Sequence, residues 1–394
     1  MKALYGQDTM GAERRIRSAT RLQKPDRVPV SPLIYYFAAH YAGITNYELY
    51  DPVKYNRAID MCFYDLGPWD AYYFMHVYYR ELGSFLIPMK VKEPGFDLPP
   101  DSVRQYLEEE IMREDDFAWL IRRGEKSPRL AYLHMFNRMI PRIWEHVGPG
   151  WRCAAFMLPR MIRNAVLYAR EFVRWRDRGV TLLYSVGVEA PFDTFSLARG
   201  LLNFVKDLKD RPGEIVAAAE ALTAAYAFRI KALCRFLGVK RAIIDVHRSS
   251  SDFISPRTFA ELSLPSLRLL VEKLAADGIT SILHCDGNWD LNLEALRQLP
   301  PGMVVAQFDG TTDIFRAKEV IGDRICIYGD VPAEMLALAS QSEVDEYCHR
   351  LIEEVGKGGG FILGSGCEVA PNARPENVQA MLHSVYKYGY YEQK

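Results

Sequence analysis

No disulfide framework can be drawn through this chain. Its seven cysteines (62, 153, 234, 285, 326, 348 and 367) are odd in number and scattered, unlike the closely paired thiols of small secreted domains. Nor is there an excess of one charge. Lys+Arg number 49 against 50 Asp+Glu, a formal charge of −1, so no global field draws the chain to nucleic acid or to an anionic membrane. No run of about 18 apolar residues could cross a bilayer, and the opening MKALYGQDTMGAERRIRSATRLQ lacks the apolar stretch of a secretion signal. Also missing are a GxGxxG or Walker A loop opening any helix and any low-complexity tract. The expectation left standing is a cytoplasmic enzyme with neither nucleic acid nor membrane as a partner.

What is there is ordinary globular composition, 49% hydrophobic and 25% charged over 394 residues, enough for one large α/β barrel with an added segment. Residues 12–22 read as a short helix, stopped by the Lys-Pro-Asp-Arg-Val-Pro-Val turn at 24–30, and Val28, Val30 and Leu33 suggest a first strand. Residues 35–79 then hold 15 aromatics, against 12% for the whole chain. Such rings either pack a helical extension onto the main body or line a cavity for a flat ligand.

From about residue 130 the pattern is regular. Short apolar runs that end in polar or glycine residues fall at 181–187, 241–247, 280–287, 302–310, 324–330 and 359–366. Helical stretches at 212–238 and 255–278, each with Pro near its start and Gly at its end, lie between them. Strands alternating with helices imply a parallel sheet covered by helices. The predicted fold is an α/β (β/α)8 TIM barrel over 81–394, with an N-terminal, mainly helical, aromatic-rich extension over 1–80.

In such a barrel the chemistry sits at the carboxyl ends of strands. Those ends carry Glu189 and Asp193; Asp245, His247 and Arg248, then Asp252; His284, Cys285 and Asp286; Asp309; Asp330; and Cys367 with Glu368. His284, Cys367 and one of Cys285 or Asp286 form the metal hypothesis, since zinc accepts imidazole, thiolate and carboxylate and catalytic zinc keeps one position open. The bland alternative is a hydrogen-bonded rim histidine beside a small buried thiol. Glu189, His247 and Asp309 are candidate catalytic groups. Tyr35, Tyr36, Asp193 and Asp252 are candidate substrate-binding groups. Several have a structural alternative: Glu189, Asp193 and Asp309 could cap helices, and His247 could be an inert rim residue; Asp309 could also supply a fourth ligand or hold a ligating histidine.

These strand ends resemble a known family. Ala-Pro-Phe-Asp (190–193), the Asp252–Pro256 segment, Leu-His-Cys-Asp-Gly (283–287), Ile-Tyr-Gly-Asp-Val-Pro (327–332), Gly-Gly-Phe-Ile-Leu-Gly-Ser-Gly-Cys-Glu-Val (359–369) and Arg-Pro-Glu-Asn (374–377) are similar to the uroporphyrinogen decarboxylase superfamily. The resemblance runs from about Ala190 to Tyr388 and implies a (β/α)8 barrel. True decarboxylases of that superfamily share an N-terminal Arg-Gln-Ala-Gly-Arg stretch. Here 32–40 reads PLIYYFAAH, without an arginine, which opposes binding of a polyanionic porphyrinogen.

The other branch holds zinc through His-x-Cys and a distant Cys, and works with a corrinoid on a separate protein. This chain resembles it in His284 and Cys367 but has Asp286 at the second ligand, with Cys285 one residue early. A carboxylate there makes the metal a harder Lewis acid, suited to an oxygen-bearing donor. The resemblance therefore implies a zinc-dependent methyltransferase of O-demethylase type, acting on a small methoxylated substrate with a corrinoid-binding protein as partner, and leaves a homodimer open. The rivals are methyl transfer from the corrinoid to a thiol or a pterin, decarboxylation of another acid, and a metal-free ligand-binding barrel.

Overall fold

The computed structural model describes residues 11–74, 76, 78–85, 87–144 and 151–392. Among the described residues there are ten strands: β1 (Ala71–Tyr72), β2 (Lys90–Lys92), β3 (Gln105–Leu107), β4 (Thr181–Leu182), β5 (Val186–Glu189), β6 (Arg241–Val246), β7 (Thr280–Cys285), β8 (Val304–Phe308), β9 (Cys326–Val331) and β10 (Phe361–Ser365). Six of them form one parallel sheet in the order β10-β9-β8-β7-β6-β5. β1 pairs with β4 in parallel, and β2 and β3 make a separate antiparallel pair. The parallel α/β architecture read from the alternating pattern is therefore the one the chain adopts.

Backbone hydrogen bonds continue beyond both edges of the six-stranded sheet. Ser31 donates to Leu363 O and Leu363 to Pro29 O, so the 28–33 segment lies against β10. Asp70 donates to Val30 O, Leu183 to Tyr72 O, and Ser185 to Arg241 O. The 28–33 segment joins only through isolated parallel bridges at Val30 and Leu33. Pro29 and Pro32 have no N–H to offer a ladder, which explains why this expected strand is broken. Residues before 80 thus supply rungs at 28–33 and 70–72 as well as the helices Tyr36–Ala42 and Pro52–Leu66.

Successive side chains of a strand face opposite ways, and two cores result. The inner one gathers Leu33, Ala71, Tyr73, Leu183, Ile243, Ile282, Val305, Cys326, Tyr328 and Ile362. The outer one holds Ile244, Leu283, Cys285, Ala306, Phe308, Ile327 and Leu363, against the covering helices. Those helices begin and end where local chemistry dictates. Pro212–Leu237 starts on proline and stops at Gly238, whose φ of 76° suits a residue without Cβ. Ile314–Ile321 is capped by Asp313, which accepts from the amides of Phe315 and Arg316. Among the described residues no helix is long and apolar enough to cross a membrane.

The amino-terminal side of the parallel strands is closed by buried ions. Arg15 donates to Asp26 (2.7 and 2.8 Å) and to Asp70 (2.6 Å), and Arg27 donates to Asp70 (2.8 and 3.0 Å). Asp70 also accepts from Val30 N at 2.9 Å, tying the 28–33 segment to the head of β1. Burial raises the Asp70 carboxyl, but Arg27 and Arg15 outweigh it and the net direction is down.

Asp70→Ala takes from two buried arginines the carboxylate they share. It is expected to cost about 3–5 kcal/mol in urea denaturation at neutral pH. A loss under about 1 kcal/mol would show that the network does not hold this end together. Because the folded carboxyl sits below its unfolded value, its contribution is full above about pH 4 and disappears as pH falls through the lowered value.

Candidate metal centre and its surround

The inner face carries apolar residues at mid-strand and polar ones at the carboxyl ends, two residues on. Ile243 is followed on that face by Asp245 and His247, Ile282 by His284 and Asp286, Val305 by Gln307 and Asp309. Strand register brings them level: Glu189 lies beside Asp245, Asp245 beside His284, and His284 beside Gln307. Cys367 arrives from the turn after β10. Gly366 before it passes so close to β8 that a Cβ would meet Asp309 O at 2.4 Å.

Three groups converge there. His284 Nε2 is 3.1 Å from Asp286 Oδ1 and 3.8 Å from Cys367 Sγ. The three candidate ligand atoms lie within 4.8 Å of one another. The far side of the imidazole is fixed by Gln307, whose Oε1 is 2.9 Å from His284 Nδ1 while its Nε2 donates to Gly366 O at 3.4 Å. With the amide nitrogen engaged by a carbonyl, the amide oxygen is left to accept from Nδ1–H. Nε2 then faces Asp286 and Cys367 and is the nitrogen that would give its lone pair to a metal.

The sequence left Cys285 and Asp286 as alternatives, and strand geometry separates them. Being adjacent, they face opposite ways: Asp286 lies with His284, whereas the Cys285 thiol is fully buried in the outer core, 3.6 Å from Leu283 O. Cys367 is the one half-buried thiol of the seven.

Asp286 also reaches a second histidine. Its Oδ2 is 3.4 Å from His247 Nε2, and His247 Nδ1 is 3.0 Å from Glu189 Oε2. A single chain of contacts thus runs Glu189–His247–Asp286–His284–Gln307–Gly366. Burial raises the Glu189 carboxyl to about 8, against the pull of His247. At His247 burial acts downward, but Glu189, Asp286 and Asp245 together outweigh it and lift the imidazole to about 10. The proton of this pair therefore belongs on the imidazole, which three acids face. Burial also opposes the charged form of Asp286, yet His284 and then His247 bring it down to about 2.

The other expected site residues sit apart from this chain of contacts. Asp193, fully buried, accepts from Arg248 N (2.6 Å) and Ser249 Oγ (2.7 Å) and ties the turn after β6 to the helix Pro191–Arg199. Asp252 accepts from Asn288 N at 2.8 Å. Asp309 accepts from Gly287 N and from the amide and hydroxyl of Thr311. Tyr35 and Tyr36 are each 4% exposed. The Tyr35 hydroxyl meets His76 Nδ1 at 3.0 Å, and that imidazole stacks on Tyr55 with centroids 4.3 Å apart. Tyr36 donates its amide to Glu368 Oε1 (2.8 Å) and accepts from Arg104 N (3.3 Å). Gln307 carried no expectation from sequence, although it stands two residues before Asp309 on one strand face and was legible by that spacing.

Comparison with known proteins adds the following. Residues 164–388 match the family model described as uroporphyrinogen decarboxylase (URO-D). A uroporphyrinogen decarboxylase of Methylococcus capsulatus is 31% identical over 103 residues, 26% of this chain and 27% of that protein. One from Thioalkalivibrio sulfidiphilus is 26% identical over 142 residues, 34% of this chain and 39% of its own length. The matched segment thus spans about a third of these relatives. The solved structure of a methyltransferase from Methanosarcina mazei superposes with a TM-score of 0.67 over 96% of this chain and 99% of that one, at 16% identity. That last likeness is one of fold.

The proton assignment at His247 is testable in metal-free protein. Glu189→Gln removes its principal partner, so the imidazole pKa, followed by ring-proton NMR, is expected to fall by about one to three pH units. An unchanged value would mean that Asp286 and Asp245 hold the proton without Glu189.

Proposed function

The chain belongs to the uroporphyrinogen decarboxylase family, and from that premise we propose that it is a zinc-dependent methyltransferase. It takes a methyl group from a small methoxylated, aromatic substrate and gives it to the cobalt of a corrinoid carried on a separate protein. The observation that carries this reading is the convergence of His284 Nε2, Asp286 Oδ1 and Cys367 Sγ within 4.8 Å. The set fits zinc: one imidazole, one carboxylate and one thiolate are all accepted donors, and three protein ligands leave a fourth position for substrate. The Gln307 bond to Nδ1 supports it as well, because ligating histidines usually have their other nitrogen so held.

Zinc in that position would act as a Lewis acid toward the ether oxygen of the donor. The chain's own residues do the rest. Gln307 orients His284. Glu189 holds His247 through Nδ1, and His247 keeps a proton on Nε2, 3.4 Å from Asp286. That proton is available to the oxygen that loses its methyl group. The parallel rungs from β10 through 28–33 and β1 to β4–β6 favour a closed (β/α)8 barrel, whose strand-end mouth is where a carrier protein would bring its corrinoid. We place the protein in the cytoplasm, without nucleic acid or membrane as partner. The decarboxylase reading has the names of the curated relatives in its favour. Against it, 32–40 has no arginine, and Arg104 is already paired with Glu93 at 3.2 Å.

Elemental analysis of zinc-reconstituted protein tests the centre. About one zinc per chain is expected in wild type, with most of it lost in His284→Ala and in Cys367→Ala. A wild type that takes up no zinc, or variants that keep it, would remove the centre. Demethylation of a methoxybenzene with free cob(I)alamin as acceptor then tests the reaction itself.

A further inference from the structure

Surface helices commonly turn an apolar stripe inward and a polar face to solvent. The helix Trp151–Asp177 does the reverse. Its buried positions are Cys153, Met157, Glu171 and Trp175, so it turns a carboxylate inward, where Arg174 donates to Glu171 at 3.1 Å. Its outward positions are apolar: Trp151 is 76% exposed, Leu158 and Ile162 57% each, Val166 47% and Val173 42%. Single exposed apolar residues are ordinary, but a contiguous line of them marks a contact surface.

The line is continuous. At about 100° per residue, positions 151, 155, 158, 162, 166, 169 and 173 fall within about 40° of one line along the helix, about 33 Å long. Alanines at 155 and 169 stand between larger side chains, leaving hollows for the side chains of a facing helix. Arg152, Arg163 and Arg170 lie about 80–100° to one side of the line, and Ala154, Met161 and Phe172 lie as far to the other. Residues 151–170 contain no Asp or Glu. Arg152 stands over the Trp151 ring at 5.7 Å, and none of these three arginines has an ion pair among the described residues. Arg160, Arg174 and Arg176 on the same helix each have an acid.

The unmatched row decides between occupants. The spacing 4-3-4-4-3-4 reads the same in either direction about Ile162, so a second copy would fit the stripe antiparallel, about a two-fold axis. That axis keeps each flank on its own side, and the arginine row would meet itself. A bilayer surface is better served by cations on both flanks and by bulky residues along the whole apolar face. A one-sided cationic row beside a line with hollows matches a helix that carries an apolar stripe and acids along one edge.

We propose that the outer face of Trp151–Asp177 docks an acidic amphipathic helix of a separate protein, with the partner's carboxylates along Arg152, Arg163 and Arg170. The face uses no residue of the metal trio, so the proposal stands apart from the reaction assigned to that centre.

The probe is a synthetic helical peptide of about 26 residues with leucines at the stripe spacing and glutamates along one edge; its control has lysines in place of the glutamates. Each is titrated with the full chain and followed by fluorescence anisotropy. The glutamate peptide is expected to bind at least about tenfold more tightly than the lysine peptide, and less tightly as salt is raised. Ile162→Glu should weaken its binding by at least as much. The double variant Arg163→Glu/Arg170→Glu should reverse the preference, an outcome that misfolding does not produce. Binding of neither peptide, equal binding of the two, or a preference unchanged in both variants would overturn the proposal. So would a wild-type dimer in sedimentation velocity that Ile162→Glu dissociates, which would give the face to a second copy. Binding to vesicles of phosphatidylglycerol and phosphatidylcholine in equal parts, abolished by the same substitution, would give it to a membrane instead and overturn the proposal as well.

Discussion

A side chain on a strand faces the same way as the one two residues later, and every part of the candidate centre depends on that alternation. It puts His284 and Asp286 on one face of β7 and its turn while sending Cys285 to the other. It sets Gln307 opposite His284 on the next strand and lets Asp245 stand between His284 and Glu189. One inserted residue in β7 would exchange the faces, burying the carboxylate in the outer core and turning the thiol inward. The parallel register then carries the arrangement across strands with no need for sequence proximity, which is how Cys367 comes to lie beside a histidine 83 positions earlier.

The same geometry creates an electrostatic problem that the chain resolves by linkage. Glu189, Asp245 and Asp286 crowd around two imidazoles in a partly desolvated space, where isolated carboxylates are unfavourable. Asp286 is the member best able to stay charged, because each of its oxygens faces a different histidine. Glu189 bonds the His247 imidazole directly, whereas burial raises the Asp245 carboxyl against the weaker pull of His247 and His284. A divalent cation between His284, Asp286 and Cys367 would favour the charged forms of the two acidic ligands and leave His247 to Glu189. The acids are thus graded by how directly an imidazole meets each.

Much of the fold could be read from the sequence, because the strands of the second half are apolar runs bounded by Gly, Asp and Pro. The runs at 241–247, 280–287 and 302–310 contain β6, β7 and β8. The first half was harder. Two prolines reduce the 28–33 segment to isolated bridges, and β1 is two residues long inside an aromatic stretch with no alternation. At the site, the residue types pointed to His284, Cys367 and Asp286 together. What sequence could not supply was the use of each acid. Asp193, Asp252 and Asp309 are as acidic as Asp245 on paper, yet backbone amides and hydroxyls occupy them as loop ties. Asp193, Asp252 and Asp309 lie four, six and one residues past the ends of β5, β6 and β8 and meet the amides of turns, whereas Asp245 lies within β6 on its inner face. That difference of position, invisible to composition, separates the structural acids from Asp245.

The aromatic segment shows how one feature can answer to two readings. Its rings pack on one another: Phe63, Trp69 and Tyr72 all contact the buried Trp175, and Tyr55 stacks on His76. Most of them are therefore core, and their number reflects the area needed to seat the helix Pro52–Leu66 against its neighbours. Tyr73 belongs to the same run of sequence but points the other way. Tyr72 joins the outer core and Tyr73 the inner one. Alternation across a single peptide unit divides one aromatic run between two tasks, so neither reading holds for the segment as a whole and each holds for its own residues.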